Sequence, residues 1–363
     1  MVAIDVNSES ARSHAPRHAG DRRSRAIAVI WFCAAALGLM MVASLTFGAS
    51  GTSLLKALVS WASGETISAR DHIILFDIRA PRTVLGALIG ASLAVSGAVM
   101  QGLFRNPLAD PGLVGVSAGA SLGAILAIVL GGLLPPALAA MTGNYTVSIA
   151  AFIGGWLTTI LLYRVATSGG RTSVAVMLLA GIAMGALAGA ISGMMIYLAD
   201  DQQLRDLTFW GLGSLAGATW NKLMIAGPLI VLSMAALPFL TRGLDALTLG
   251  EATAGHLGIP VQRMKNIAIL TVAGATGAAV AVSGGIGFVG IVVPHLLRLL
   301  IGPSHRYLLP ASALLGGALL LGADIISRTI VAPSELPIGI VTATIGGPFF
   351  LFILLRNRNI LDM

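Results

Sequence analysis

Between Arg82 and Arg105 the chain runs for 22 residues, Thr83 to Phe104, without one charged side chain. A helix rises 1.5 Å per residue, so that run covers the roughly 30 Å hydrocarbon core of a bilayer. It is one of ten apolar segments, at about 26 to 47, 83 to 104, 111 to 134, 145 to 163, 174 to 198, 223 to 240, 266 to 283, 286 to 301, 308 to 326 and 337 to 355. Inside lipid the backbone has no water to bond, which leaves helices and closed barrels, and the length of these runs selects helices. Composition agrees: 56% of the 363 residues are hydrophobic and 10% charged, with a mean hydropathy of +0.91. That is too little polar surface to coat a water-soluble globule. The 45 glycines let helices in lipid approach closely. The reading is an all-α polytopic membrane protein with about ten transmembrane helices.

The opening stretch, RSHAPRHAGDRRSR before an apolar run from Ala26 to Phe47, has the order of a signal peptide. Its apolar run is too long, and no convincing small-residue cleavage site follows. Residues 1–25 read as a basic cytoplasmic tail and 26–363 as the membrane domain. The lone cysteine, Cys33, lies in this first run and has no partner in the chain. An even number of spans puts both termini on one side. The tails and loops of that side hold about two thirds of the 22 lysines and arginines, which makes it cytoplasmic. Lys56, Arg70, Arg79, Arg82, Arg205, Lys222 and Arg328 remain outside. Arg79 and Arg82 stand at the mouth of the second span, where an acidic partner is their natural complement. The local alternative pairs Asp77 with a nearby arginine, and Asp324 with Arg328 four residues on along one helix face.

Several shorter features bear on function. LTFWGLGSLAGAT, Leu207 to Thr219, is too short to cross and reads as a re-entrant or surface half-helix on the outer side. VSGA at 95–98 and VSGG at 282–285 are separated by an odd number of spans, so units containing them would be inverted; chance similarity between glycine-rich spans is the other reading. GIGFVG (285–290) fits a dinucleotide-binding pattern, but it joins two spans and has no acidic residue about 20 positions on. GVSAG (115–119) fits a nucleophile elbow, but no strand precedes it, and His295 is the sole histidine available to a serine there. In the fifth span Gly181, Gly185, Gly189 and Gly193 recur every fourth residue and share a helix face. That face either packs closely or lines a pathway. The loop from 241 to 266 sets Leu244, Leu247, Leu249, Ala252 and Leu257 against Asp245, Glu251 and His256. It reads as one or two short amphipathic helices punctuated by Gly250, Gly258 and Pro260, either an ordinary loop or a docking surface.

Four long stretches carry a family resemblance: RAPRTVLGALIGASLAVSGAVMQGLFRNPLADPGLVGVSAGASLG, LTLGEATAGHLGIPV, GGIGFVGIVVPHLLRLLIGPSHRYLLP and ADIISRTIVAPSELPIGIVTATIGGPFFLFILL. Together they resemble the FecCD-type permeases of type II ABC importers, which take up ferric siderophores, haem and cobalamin. The resemblance covers nearly everything after residue 70. It implies the type II ABC importer permease fold, a homodimer with a path between two copies, two ATPase subunits on the cytoplasmic side and a periplasmic binding protein opposite. By similarity Arg79, Arg82 and Arg328 receive glutamates of the binding protein. Gly250, Glu251, Leu257 and Gly258 match the segment that couples to the ATPase, about 241–266. Asn106, Leu108, Thr172 and Ser173 fall at the cytoplasmic gates; without the resemblance they read as caps and turns at helix ends.

The chain contains no G-x-x-x-x-G-K-[ST] phosphate loop, so the expectation is a non-enzymatic subunit without a cofactor of its own, with ATP and Mg bound by the partner ATPases. LRDLTFWGLGSLAGATW most resembles the haem-importing branch. Arg205 would then sit near the outer mouth, meeting a propionate or holding Asp200, Asp201 or Asp206, with Gly181, Gly185 and Gly189 along the path. A ferric siderophore and cobalamin are the alternative cargoes. An ion-coupled secondary transporter would bury carboxylates near the midplane, and spans two to seven have none in their centres. The expected surroundings are lipid in the bacterial inner membrane, with both termini cytoplasmic and no nucleic-acid partner.

Overall fold

A computed structural model describes residues 22–48, 51–64 and 67–356; of the expected tail, only the part from Arg22 onward falls within these. Helix α1 (Arg23–Thr46) and the short α2 (Leu54–Ala62) precede a continuous helical run, Ala69–Phe104. That run comprises α3 (Ala69–His72), a π-helical stretch Ile73–Arg79, and α4 (Ala80–Phe104). Helices α5 (Val116–Leu130), α6 (Pro136–Thr142) and α7 (Thr146–Ala166) lead to a hairpin of β1 (Thr167–Ser168) and β2 (Arg171–Thr172). Then come α8 (Val174–Leu198), α9 (Asp201–Leu212), α10 (Trp220–Met234), α11 (Leu237–Leu247), α12 (Glu251–His256), α13 (Val261–Ser283), α14 (Val289–Ile301), α15 (His305–Thr329) and α16 (Ile338–Arg356).

Each of the ten apolar segments forms a helix. Among the described residues 7 helices are long and apolar enough to cross a membrane, and α10 with α11, bent by 45° between them, meet the same criterion only as a pair. Pro238 at the start of α11 fits the break, since proline lacks an N–H to continue a preceding helix and suits the first turn of a new one. The remaining two, α14 and the apolar part of α16 (Ile338–Phe352), are shorter.

Two boundaries differ from the sequence reading. The second span begins at Ala69 rather than near residue 83, because the π-helical stretch carries the helix through Asp77 and Arg79. The outer half-helix begins at Asp201 rather than Leu207. Asp200 accepts from the backbone N–H of Gln202 and Gln203, and the Gln203 side-chain oxygen accepts from the Asp200 N–H at 3.1 Å. That reciprocal cap starts α9, and Gly213 ends it.

Helices α4 and α13 are the most enclosed, with α4 against α15, α13, α14 and α10, whereas α1 and α8 are mostly exposed. Close approach depends on glycine. A Cβ on Gly97 of α4 would collide with the Gly290 carbonyl of α14, and one on Gly90 with the Gly316 carbonyl of α15. The VSGA and VSGG segments differ in backbone: the first is mid-helix in α4, and the second ends α13 at Gly284. Packing therefore gives the two tetrapeptides different tasks.

Candidate functional site

Polar side chains gather at the two ends of this bundle. At the first, the arginine end, Arg79, Arg82 and Arg328 lie within one network, as their placement on the second and ninth spans allows. They are not exposed. Relative exposure is 4% for Arg79 and 5% each for Arg82 and Arg328. Arg79 donates to the carbonyls of Leu45 (2.8 Å) and Thr52 (2.9 Å), closing the end of α1. Arg82 forks between two carboxylates, donating from Nη2 to Asp324 at 2.8 Å and from Nη1 to Glu335 at 2.8 Å. Arg328 donates to the Ser44 carbonyl at 2.7 Å and stands 3.6 Å from Asp324. Within this chain all three guanidinium groups already have carbonyl or carboxylate partners. Burying an arginine without a carboxylate or carbonyl is costly, so the fold supplies both from α1, α15 and the α15–α16 loop. Of the local alternatives, Asp324 does face Arg328, but as a fully buried carboxylate shared with Arg82. The exposed member of the network is Glu335.

At the opposite, hairpin end, Gly250 and Gly258 flank α12 with φ of +102° and +80°. Only glycine takes these angles without strain. Leu257 is 62% exposed, an apolar side chain held out at the end of α12. Leu244 and Leu247 differ: they belong to α11 and are buried, so two of the five expected apolar positions face the bundle while Leu249, Ala252 and Leu257 are exposed. Asn106 accepts from the Leu108 N–H at 2.9 Å, an Asx turn that follows Arg105 in the left-handed region. Ser173 caps α8 by accepting from the Val176 N–H. Asp110, in the same connection as Asn106, accepts from the Gly112 N–H at 2.7 Å; burial pushes its carboxyl above the ordinary range.

Thr172 is the most heavily engaged residue of this end. Gln262 accepts from its N–H at 2.9 Å and donates to its hydroxyl at 2.6 Å, while Lys265 Nζ donates to its carbonyl at 2.9 Å. The same ammonium meets Glu251 Oε1 at 2.6 Å. Asn266 accepts from both Gln262 and Tyr163. The expected coupling residue Glu251 and gate residue Thr172 are therefore joined through α13. Sequence reasoning missed Lys265, counting it only as a loop charge. The available signal was a lysine in the first turns of an apolar helix, which in lipid requires a partner. It missed the hairpin too, although Gly169-Gly170 between threonines is a two-residue turn pattern. Nearby, Asp245 accepts from the His305 backbone N–H at 2.8 Å and meets its Nδ1 at 2.6 Å, tying α11 to α15.

Arg205 lies on α9, exposed, and forms no ion pair among the described residues with Asp200, Asp201 or Asp206. Asp200 is instead the helix cap. Gly181 packs against the Leu113 carbonyl, whereas Gly185, Gly189 and Gly193 face open space. The stripe thus divides into one packing position and an open face.

A multi-pass bundle of this order, with a shortened outer helix and a helical segment standing out at the hairpin end, is a membrane permease of the type II ABC importer fold. The chain belongs to the FecCD transport family, whose model matches residues 35–356. It is 45% identical over 88% of its length, and 94% of the relative's, to the hemin transport system permease protein HmuU of Yersinia pestis. A cobalamin import system permease protein, BtuC of Halobacterium salinarum, is 44% identical over 80% of this chain and 75% of its own. Among solved structures, an inward-facing metal-chelate type ABC transporter superposes with a TM-score of 0.79 at 30% identity, covering 91% of this chain and 99% of that one.

Proposed function

We propose that this chain is the permease subunit of an ATP-driven importer that carries haem from a periplasmic binding protein into the cytoplasm. Its 45% identity to a hemin permease along 88% of the chain carries the reading, together with the LRDLTFWGLGSLAGATW segment. Two copies would enclose the path, with the open glycine face of α8 and the exposed Arg205 along it. Gly250, Glu251, Leu257 and Gly258 present α12 to an ATPase subunit, which binds ATP and Mg. Asn106, Leu108, Thr172 and Ser173 close the path at that end. The arginine end receives the binding protein, and docking there requires a partner carboxylate to take the place of Glu335 on Arg82. The chain lies in the bacterial inner membrane with both termini cytoplasmic. The cobalamin permease at 44% identity supports that cargo as a second reading.

The test is uptake into proteoliposomes holding the permease with its cognate ATPase, ATP inside and binding protein outside, comparing haem, a ferric siderophore and cobalamin. Haem-only uptake is the expected result. Uptake of another cargo replaces the substrate and keeps the importer; ATP-independent uptake of any of them removes the importer reading.

A further inference from the structure

The network around Lys265 has a geometry that an ordinary buried lysine does not need. Gln262, Lys265 and Asn266 lie three and four residues apart, on one face of the first turns of α13. All three polar backbone and side-chain groups of Thr172 are held by this face: N–H and hydroxyl by Gln262 at 2.9 and 2.6 Å, carbonyl by Lys265 at 2.9 Å. The Lys265 side chain is 3% exposed, and its carboxylate partner is Glu251, at 2.6 Å. Glu251 is the first residue of α12 and nearly half exposed. Thr172 is followed directly by Ser173, the cap of α8. One buried ammonium therefore connects the start of α12 to the start of α8.

We propose that Lys265 is a positioning residue that transmits displacement of α12 to Thr172 and so to the first turn of α8. The inference rests on the reading above that α12 meets an ATPase. Its physical basis is the cost of an uncompensated buried charge. If α12 moves and Glu251 leaves, the ammonium either follows its carboxylate or leaves the Thr172 carbonyl. Both outcomes loosen the hairpin's attachment to α13. Gln262 alone holds the remaining bonds, and these are neutral and weaker. The tie is thus stiff while Glu251 is seated and loose when it is not.

The test compares Lys265→Met, Lys265→Arg, Glu251→Gln and the double variant Lys265→Met/Glu251→Gln with the unaltered protein, assembled with the ATPase in proteoliposomes. Cargo moved per ATP hydrolysed is the readout, and co-purification of the ATPase is the control for assembly. Lys265→Met is expected to retain the ATPase and hydrolysis while cargo per ATP falls about tenfold; Lys265→Arg, which keeps the charge, recovers most of it. Glu251→Gln, which at a half-exposed position keeps a neutral acceptor for the ammonium, lowers the same ratio while the ATPase still co-purifies. The double variant is no worse than Lys265→Met alone, because the ion pair that Glu251→Gln weakens is already gone in Lys265→Met. A normal ratio in Lys265→Met, or in Glu251→Gln should the lysine variant fail to assemble, overturns the proposal. So does a double variant whose loss is the product of the two single losses. Absence of ATP-dependent uptake in the unaltered protein would instead remove the importer reading, leaving the two failures distinct.

Discussion

Asp324 shows how strongly environment outweighs charge count. It is fully buried and accepts from Arg82 at 2.8 and 3.2 Å, while Glu335, bound to the same guanidinium, is partly exposed. Breaking a buried pair from one side costs about 3–5 kcal/mol, whereas an exposed pair is worth about 1 kcal/mol or less. Asp324→Asn is therefore expected to lower the melting temperature in detergent far more than Glu335→Gln. Equal shifts would show that the two carboxylates share the load. At the other end, Gly250 has φ +102° and ψ 154°, a region essentially reserved for glycine. Gly250→Ala costs about 1–3 kcal/mol of local strain. That strain lies in the backbone and is present whatever the space around the new side chain, so a modest drop in melting temperature together with weakened ATPase co-purification is expected. Unimpaired co-purification would mean that the orientation of α12 is set elsewhere.

Among the helices, α4 earns its central position through small residues that match carbonyls on its neighbours. Gly97→Val would force α4 and α14 apart, because the new side chain meets backbone rather than a flexible side chain. Loss of a monodisperse peak in size-exclusion chromatography is the expected outcome. Gly189→Ala, on the open face of α8, should elute as the unaltered protein does; if both behave alike, the close crossing does not decide assembly. Periodicity in the sequence could not separate these two glycines, since both lie in apolar runs of similar composition. The difference is which backbone comes opposite.

Taken as one body, the bundle separates a charged network with α9 at one end from the hairpin and α12 at the other. The proposed orientation can be read from a Cys33→Ala background with single cysteines. Arg70→Cys and Arg242→Cys occupy exposed positions near opposite ends. An impermeant thiol reagent applied to intact cells is expected to label the first and to reach the second only after permeabilisation. The reverse pattern would invert the protein in its membrane.

Apolar run length was enough to establish that this chain crosses a membrane as about ten helices, because bilayer thickness and backbone hydrogen bonding leave few alternatives. Four long motifs placed it in its family. Sequence also singled out Glu251, Thr172 and the three arginines, which the fold gathers into polar clusters. What no single stretch contained was their partners: Arg82 meets residues 242 and 253 positions away, and Lys265 closes on Thr172 across 93. A charge in lipid must be paired, and that rule is legible in sequence. Which carboxylate or carbonyl answers it depends on which helices become neighbours, and only the tertiary packing decided that.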